Sequence, residues 1–371
     1  MTLEVRWHSQ FSEFPQTAWE GLRSEDRNPF LSYAFLNGLE KTNAIRPELG
    51  WIAHHLGVWD GDRLVAAARG YRKLNSHGEF VFDHAWAHAY ERYGRAYYPK
   101  QLFAIPYSPV TGARFYASSA EAGNVLLAAM ADVGGMSSTH VNFLPGSDVD
   151  YFDSEWLRRT DVQYHWRRDS AWTDFEDFLS VMDHKHRKNI RQERRKVAAA
   201  GITFRVVSGD AITREDVEHA YEFYLQTFAE YGNYPALTFG FFEYLREHAA
   251  ESLVLILAKH GDDVIAGAVC LRSDNTLYGR YWGSHVQVDG LHFETCYYQG
   301  IEYCLRNNLT MFEPGAQGVH KIARGFLPTT THSVHWINDP AFREALRGWC
   351  AEANAEMREH TRALLARSPF K

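Results

Sequence analysis

Residues 252–326 repeat, in order and in chemistry, a unit already present in residues 50–107, and this duplication points to two copies of one small α/β domain. In the first copy Trp51-Ile-Ala-His-His-Leu-Gly-Val-Trp59 runs into Asp60-Gly61-Asp62 and leaves along Arg63-Leu-Val-Ala-Ala-Ala68. In the second, Leu253-Val-Leu-Ile-Leu-Ala258 meets Gly261-Asp262-Asp263 and leaves along Val264-Ile-Ala-Gly-Ala-Val269. Two apolar runs rich in β-branched residues, joined by a turn whose glycine accepts positive φ, predict a β-hairpin. Each hairpin leads to an aromatic strand, at 79–83 and 277–283, and then to a helical pattern.

With 371 residues, 45% of them hydrophobic and 23% charged, the chain is long and apolar enough for two packed domains, expected at 1–163 and 164–371. Its longest apolar runs fall far short of a membrane span, and the first residues lack a basic-then-apolar leader, so a soluble, cytoplasmic protein is expected. Four cysteines without a CxxC pair read as buried thiols in a reducing compartment. Helices are expected at 15–22, 30–41, 84–93, 120–133, 183–200, 213–230, 238–250 and 292–307 and from 340 onward. Strands are expected at 140–144, 202–207, 310–313 and 332–337, and Thr173 is a candidate cap. Helices on both faces of a mixed sheet fit this order.

Charge is distributed unevenly. Residues 158–196 hold eleven Lys/Arg against seven Asp/Glu, although the whole chain carries a formal charge of -7. Seven of these cations, Lys185, Arg187, Lys188, Arg191, Arg194, Arg195 and Lys196, fall on one predicted helix, where like charges repel. Either they form a solvated face with Met182, Ile190 and Val197 turned inward, or an anion meets them, and guanidinium forks suit a tRNA backbone or a nucleotide pyrophosphate.

Several segments resemble a known family. They are Gly78-Glu-Phe-Val-Phe-Asp-His-Ala-Trp-Ala-His-Ala-Tyr-Glu-Arg92, Tyr97-Tyr-Pro-Lys100, Lys188-Asn-Ile-Arg-Gln-Glu-Arg-Arg-Lys-Val197, Tyr297-Tyr-Gln-Gly-Ile-Glu-Tyr303 and, most specifically, Glu313-Pro-Gly-Ala-Gln-Gly-Val-His-Lys-Ile-Ala-Arg-Gly-Phe326. Together, over about residues 28–371, they resemble the bacterial peptidoglycan biosynthesis/recognition family of the GNAT superfamily. More distantly, the basic helix and the lysine-containing loop are similar to those of Fem-type aminoacyl transferases. The resemblance implies an α/β fold of two tandem GNAT-like domains and aminoacyl-tRNA as the donor. It also implies a small-molecule or peptide acceptor, and no cofactor. His84, His88 and Val319 depart from the family pattern on the presumed acceptor side, which points to a specialised acceptor.

Acyl transfer to an amine needs a neutral nucleophile, a polarised carbonyl and a proton for the leaving group. The Glu313–Phe326 loop lies just beyond a predicted strand end, the usual place for ligand contact in open α/β sheets. Lys321 there can stabilise a carboxylate, a phosphate or an oxyanion, and His320 or Glu313 can take a proton. His292 and Glu294, at a helix start, complete the catalytic candidates. Asp83, His84, His88, Tyr90, Tyr97, Tyr98 and Lys100, with Tyr281, Gln317 and Arg324, are the candidate substrate contacts. His84 and His88 stand i, i+4 beside Asp83 and Glu91, but without an HExxH pattern no metal is assigned. An acyl-CoA-dependent N-acyltransferase is the rival enzyme, although the segment between Gly283 and Thr295 lacks a Gln/Arg-x-x-Gly-x-Gly/Ala cradle for the pyrophosphate. A GNAT pair that binds muropeptide or nucleotide without turnover is the rival from another class.

Overall fold

The computed structural model describes residues 2–230 and 232–371; Met1, with which the expected N-terminal domain begins, lies outside the described residues. Both glycine hairpins form. His55–Asp60 pairs antiparallel with Arg63–Ala68 about Gly61, and Leu253–His260 with Asp263–Arg272 about Gly261, each glycine at φ +62°. The registers coincide: Asp60 faces Arg63, His260 faces Asp263, and each hairpin then skips one residue, Val65 in the first and Ile265 in the second. A bulge at the same step in both copies marks the duplication more firmly than the turn does.

The copies agree beyond the hairpins. Leu3–His8 lies antiparallel to His55–Asp60, and Ile202–Ser208 to Leu253–His260. Two helices intervene in each copy, Gln16–Arg23 and Tyr33–Lys41, then Arg214–Glu230 and Phe239–His248. On the other side of each hairpin lies a further strand, Tyr116–Ala117 or Thr276–Ser284, followed by a helix and one more strand, Ser138–Leu144 or Met311–Glu313. This is the α/β, tandem GNAT-like arrangement of mixed sheets flanked by helices. Helix starts follow capping chemistry. Asp183 and Thr238 accept backbone N–H groups at the starts of His184–Ala199 and Phe239–His248, and Asp174 rather than Thr173 caps Phe175–Ser180.

Each copy is closed by a strand from elsewhere in the chain. Residues 332–337 pair with Ser138–Leu144, while Arg167 and Trp166 pair with Met311 and Phe312. The first unit therefore runs to Asp161 and takes in Thr330–Glu359, and the second comprises Val162–Thr329 and His360–Lys371. Residues 330–359, expected in the C-terminal domain, thus belong to the first unit, because an uncovered strand edge leaves backbone donors and acceptors unpaired. The strand expected at 79–83 does not form either. Phe80 takes φ +61°, which interrupts an extended run, and Glu79 and Asp83 are buried carboxylates held by ion pairs.

In the second unit Thr276–Ser284 runs parallel to Met311–Glu313 for only three residues, Thr276 to Tyr278, and continues beyond them without that neighbour. Arg280 is an extra residue in the pairing with Asp263–Arg272, between Gly279 opposite Cys270 and Tyr281 opposite Val269. A bulge here re-aims one side chain at the place where the sheet opens. Gly283, three residues on, lies against Arg214–Glu230 so closely that a Cβ would fall 2.2 Å from the Phe223 carbonyl oxygen. Gly283→Ala is expected to cost about 1–3 kcal/mol, as small-to-large changes in packed sites do. Urea denaturation checks this, and an unchanged midpoint would contradict the close approach.

Candidate active site

The loop after Met311–Glu313 is shaped by three left-handed glycines, Gly315 at φ +93°, Gly318 at φ +119° and Gly325 at φ +87°, around the short turn Val319–Arg324. Gly318 is required as such, because φ +119° is a conformation that an L side chain adopts only under strain. The turn carries Lys321 inward until it is 4% exposed, and its Nζ donates to the Gly315 carbonyl at 2.8 Å. Burial, reinforced by the nearby Arg280 guanidinium, pushes the amine down to about 7. Arg280, aimed inward by its bulge, donates to the Gly279 carbonyl at 2.6 Å and sits 3.6 Å from the Glu313 carboxylate, itself buried at the strand end. A neutral-leaning amine, an arginine and a carboxylate therefore share one buried corner beside the strand that has lost its neighbour.

Around this corner the other candidates divide. His320 is exposed, and its Nε2 pairs with the Tyr297 hydroxyl at 2.9 Å. His292 lies against Trp282, ring centroids 5.1 Å apart, and burial together with His320, Lys321 and Arg324 pushes it down to about 4, so it is neutral at pH 7. Glu294 drops out as an acid or base. It is 3% exposed, and its oxygens take hydrogen bonds from Gln299 at 2.8 Å and Arg194 at 3.1 Å. Tyr281 packs edge-on against Tyr224, Gln317 is exposed, and Arg324 is buried. Arg280 and His165 were not among the sequence candidates. Burial first, then Arg167, Arg280 and Lys321, push His165 down to about 3, and its Nε2 meets Gln163 Oε1 at 3.2 Å.

The basic helix His184–Ala199 turns Ile190 and Val197 inward, as its spacing requires, and its outer side borders a groove of about 490 Å³. Phe175 and Leu179 give that groove an apolar floor, Arg187, Lys188, Arg191 and Arg195 give it a cationic wall, and His184 also lines it. Glu176 faces Arg191 across it in an exposed ion pair. Arg194 also borders the groove, but its charge is committed to Glu302 at 2.6 Å and to Glu294, and its guanidinium covers the Phe175 ring at 4.4 Å. It therefore leaves the set of phosphate ligands. Lys185 is exposed, outside the residues that line the groove.

The peptidoglycan biosynthesis/recognition family FemAB-like matches residues 10–371. The chain belongs to the FemAB-like family. Its fold is similar to that of the C-terminal domain of an Agrobacterium fabrum protein assigned as a lysylphosphatidylglycerol synthetase, at 9% identity and TM-score 0.52, over 89% of this chain and 94% of that one. A Bacillus licheniformis L-PGS aligns at 11% identity and TM-score 0.48, over 84% and 94%, and FemX at 11% and 0.47, over 83% and 93%. No curated protein matches the chain.

In this FemAB-like chain the substrate contacts expected in the first unit are mostly interior. Lys100 Nζ donates to Glu79 at 2.8 Å, to Ser76 at 3.0 Å and to Asp83. Tyr97 donates to Asp83 at 2.6 Å, and His140 then meets both Tyr97, at 3.2 Å, and His335, at 2.7 Å. Burial works against the Asp83 charge, yet Lys100 and its hydrogen bonds hold this carboxyl well below the usual carboxylate range. Asp83, Tyr97 and Lys100 thus satisfy one another, and Tyr90 packs between Tyr97 and Phe342. They are scaffold, not open contacts; Tyr98 is half-buried, bonded to Ser76 at 2.8 Å, and His84 and His88 lie exposed on their helix. Lys100→Met, which strands two buried carboxylates, is expected to cost about 3–5 kcal/mol. Thermal and chemical unfolding check this, and a loss under about 1 kcal/mol would mean that the network is more open than its geometry.

Proposed function

We propose that the second unit transfers an aminoacyl group from aminoacyl-tRNA to an amine or hydroxyl of a small-molecule or peptide acceptor. The observation that carries this reading is the pairing, in one unit, of a buried amine poised near neutrality with a cationic groove. Membership of the FemAB-like family agrees with it. Arg187, Lys188, Arg191 and Arg195 hold donor phosphates, and no cofactor is needed when the donor is charged tRNA.

In the chemical step an acceptor nitrogen attacks the ester carbonyl. The C–N bond forms, the C–O bond to the ribose breaks, and neutral Lys321 takes the proton and returns it to the departing oxygen. The main-chain edge of residues 279–283, beyond the last pair with Met311–Glu313, supplies N–H donors for the oxyanion. Arg280 keeps Lys321 from holding its proton too tightly, and Glu313 keeps Arg280 in place.

Because only the unprotonated amine accepts a proton, the transfer rate is expected to climb with pH through about 7 and then level off. Lys321→Met is expected to lower kcat by about 10²–10⁴ while donor binding persists. Initial rates across the pH range check both, and a flat profile or a fully active variant would remove Lys321 from the mechanism.

Donor identity is tested by offering charged tRNA, uncharged tRNA and acyl-CoA in turn and following transfer into candidate acceptors with and without ribonuclease. Ribonuclease-sensitive transfer is expected; transfer from acyl-CoA that survives ribonuclease would establish the rival enzyme, and binding without transfer the non-catalytic protein. The Arg187→Ala/Arg191→Ala pair is expected to weaken tRNA binding and to lower the slope of log affinity against log salt by about 1.5. An unchanged slope would count against phosphate recognition by the groove.

A further inference from the structure

The helix His184–Ala199 holds a single acid, Glu193, among seven lysines and arginines. At about 100° per residue, Glu193 lies about 200° from Arg191 and from Arg195, so it faces away from the cations that line the groove. Both of its carboxylate oxygens are engaged there. Oε1 accepts from Arg324 Nη2 at 2.6 Å, and Oε2 accepts from the Tyr298 hydroxyl. Arg324 is 8% exposed, lays its guanidinium 3.3 Å from the Phe293 ring centroid and donates through Nη1 to the His320 carbonyl at 2.9 Å. The helix backbone is seated at the same point, since a Cβ on Gly290 would fall 3.1 Å from the Glu193 carbonyl oxygen. One carboxylate thus joins the groove helix to the turn that carries His320 and Lys321.

We propose that Glu193 is a positioning residue for the transfer reaction, holding the His320–Lys321 turn in register with the helix that grips the donor. This rests on the reading of Lys321 and the groove given above. The physical basis is a charge-assisted pair with fixed geometry on both sides, an arginine clamped by an aromatic face and a carboxylate on a rigid helix. Donor anchoring and proton transfer then share one frame, and the distance between the two ends does not depend on loop motion. A carboxylate that served only to dilute the positive charge of the helix would have no need of a buried partner on the catalytic turn.

The test uses the full-length protein with Glu193→Gln, which keeps the size and two hydrogen-bonding sites but removes the charge, and Glu193→Asp, which keeps the charge on a shorter arm. Uncharged tRNA is the binding probe, charged tRNA the donor, and the His320 imidazole correlations in ¹⁵N NMR report the turn. For Glu193→Gln, tRNA affinity is expected to stay within about twofold and kcat to fall about 10- to 100-fold, the loss that small misplacements produce. The midpoint of the pH profile and the His320 resonances are expected to move, and Glu193→Asp to recover part of kcat. An unchanged kcat would overturn the proposal. So would a lower kcat with an unmoved midpoint and unmoved His320 signals, which is the mark of mere loss of folded protein. A parallel fall in tRNA affinity would also overturn it, by placing the effect in the groove. If the wild-type protein transfers from no donor, the functional reading fails by itself. The His320 signals of Glu193→Gln still decide whether the carboxylate positions the turn: movement sustains that part, and no movement rejects it.

Discussion

A buried lysine amine that donates to a main-chain carbonyl, with no ion pair to a carboxylate among the described residues, is the constraint on which the rest of the second unit depends. An ammonium has three protons to donate, and Lys321 places one on Gly315 in a corner that also holds the Arg280 guanidinium. Moving such a group from an ordinary 10.5 to about 7 costs on the order of 5 kcal/mol. The unfolded chain keeps that proton until the pH approaches its ordinary value, so the penalty on folding is full below pH 7. It is relieved as pH rises toward 10.5. The fold tolerates the cost because the left-handed glycines, the bulge at Arg280 and the buried Glu313 leave the side chain nowhere else to go.

The first unit shows the alternative treatment of the same charge. Lys100 is as deeply buried as Lys321, but Glu79, Asp83 and Ser76 accept its hydrogen bonds, and despite burial the two carboxylates hold it above its usual value. Its sheet also ends differently. Tyr116–Ala117 and Ser138–Leu144 lie in separate sheets, and Arg114 fastens the gap through the carbonyls of Val110, Gly112 and Asn142. The two lysines therefore differ in how they are held: carboxylates neutralise Lys100, whereas Lys321 meets a carbonyl and a neighbouring guanidinium. The Lys100 network is scaffold, and the Lys321 corner is where chemistry is proposed.

The sequence carried the duplication plainly, because a Gly/Asp turn between apolar runs is a local signal, and bulges at Val65 and Ile265 fall at the same step after it in both copies. The helix starts at Asp183 and Thr238 were equally local, whereas the cap expected at Thr173 falls one residue later, on Asp174. The loop with Lys321 stood out through its glycines and its place after a strand. What escaped was set by partners distant in the chain. Asp83 and Lys100, seventeen positions apart, read as open substrate contacts and prove to neutralise each other. Arg194 reads as one more phosphate ligand, yet it serves Glu294 and Glu302, a hundred and more residues away. Arg280 looked like an ordinary strand residue, since a bulge has no composition of its own. Glu193 alone left a usable sign, a single acid in a helix of cations.

The account is tested most directly by titrating Lys321 itself, following the ¹³Cε signal of labelled lysine in the intact protein and assigning it by its loss in Lys321→Met. A midpoint near 7 is predicted, with the resonance moving when Arg280 is replaced by methionine. A midpoint at the ordinary lysine value, about 10.5, would contradict the claim that this amine is available to take a proton at neutral pH.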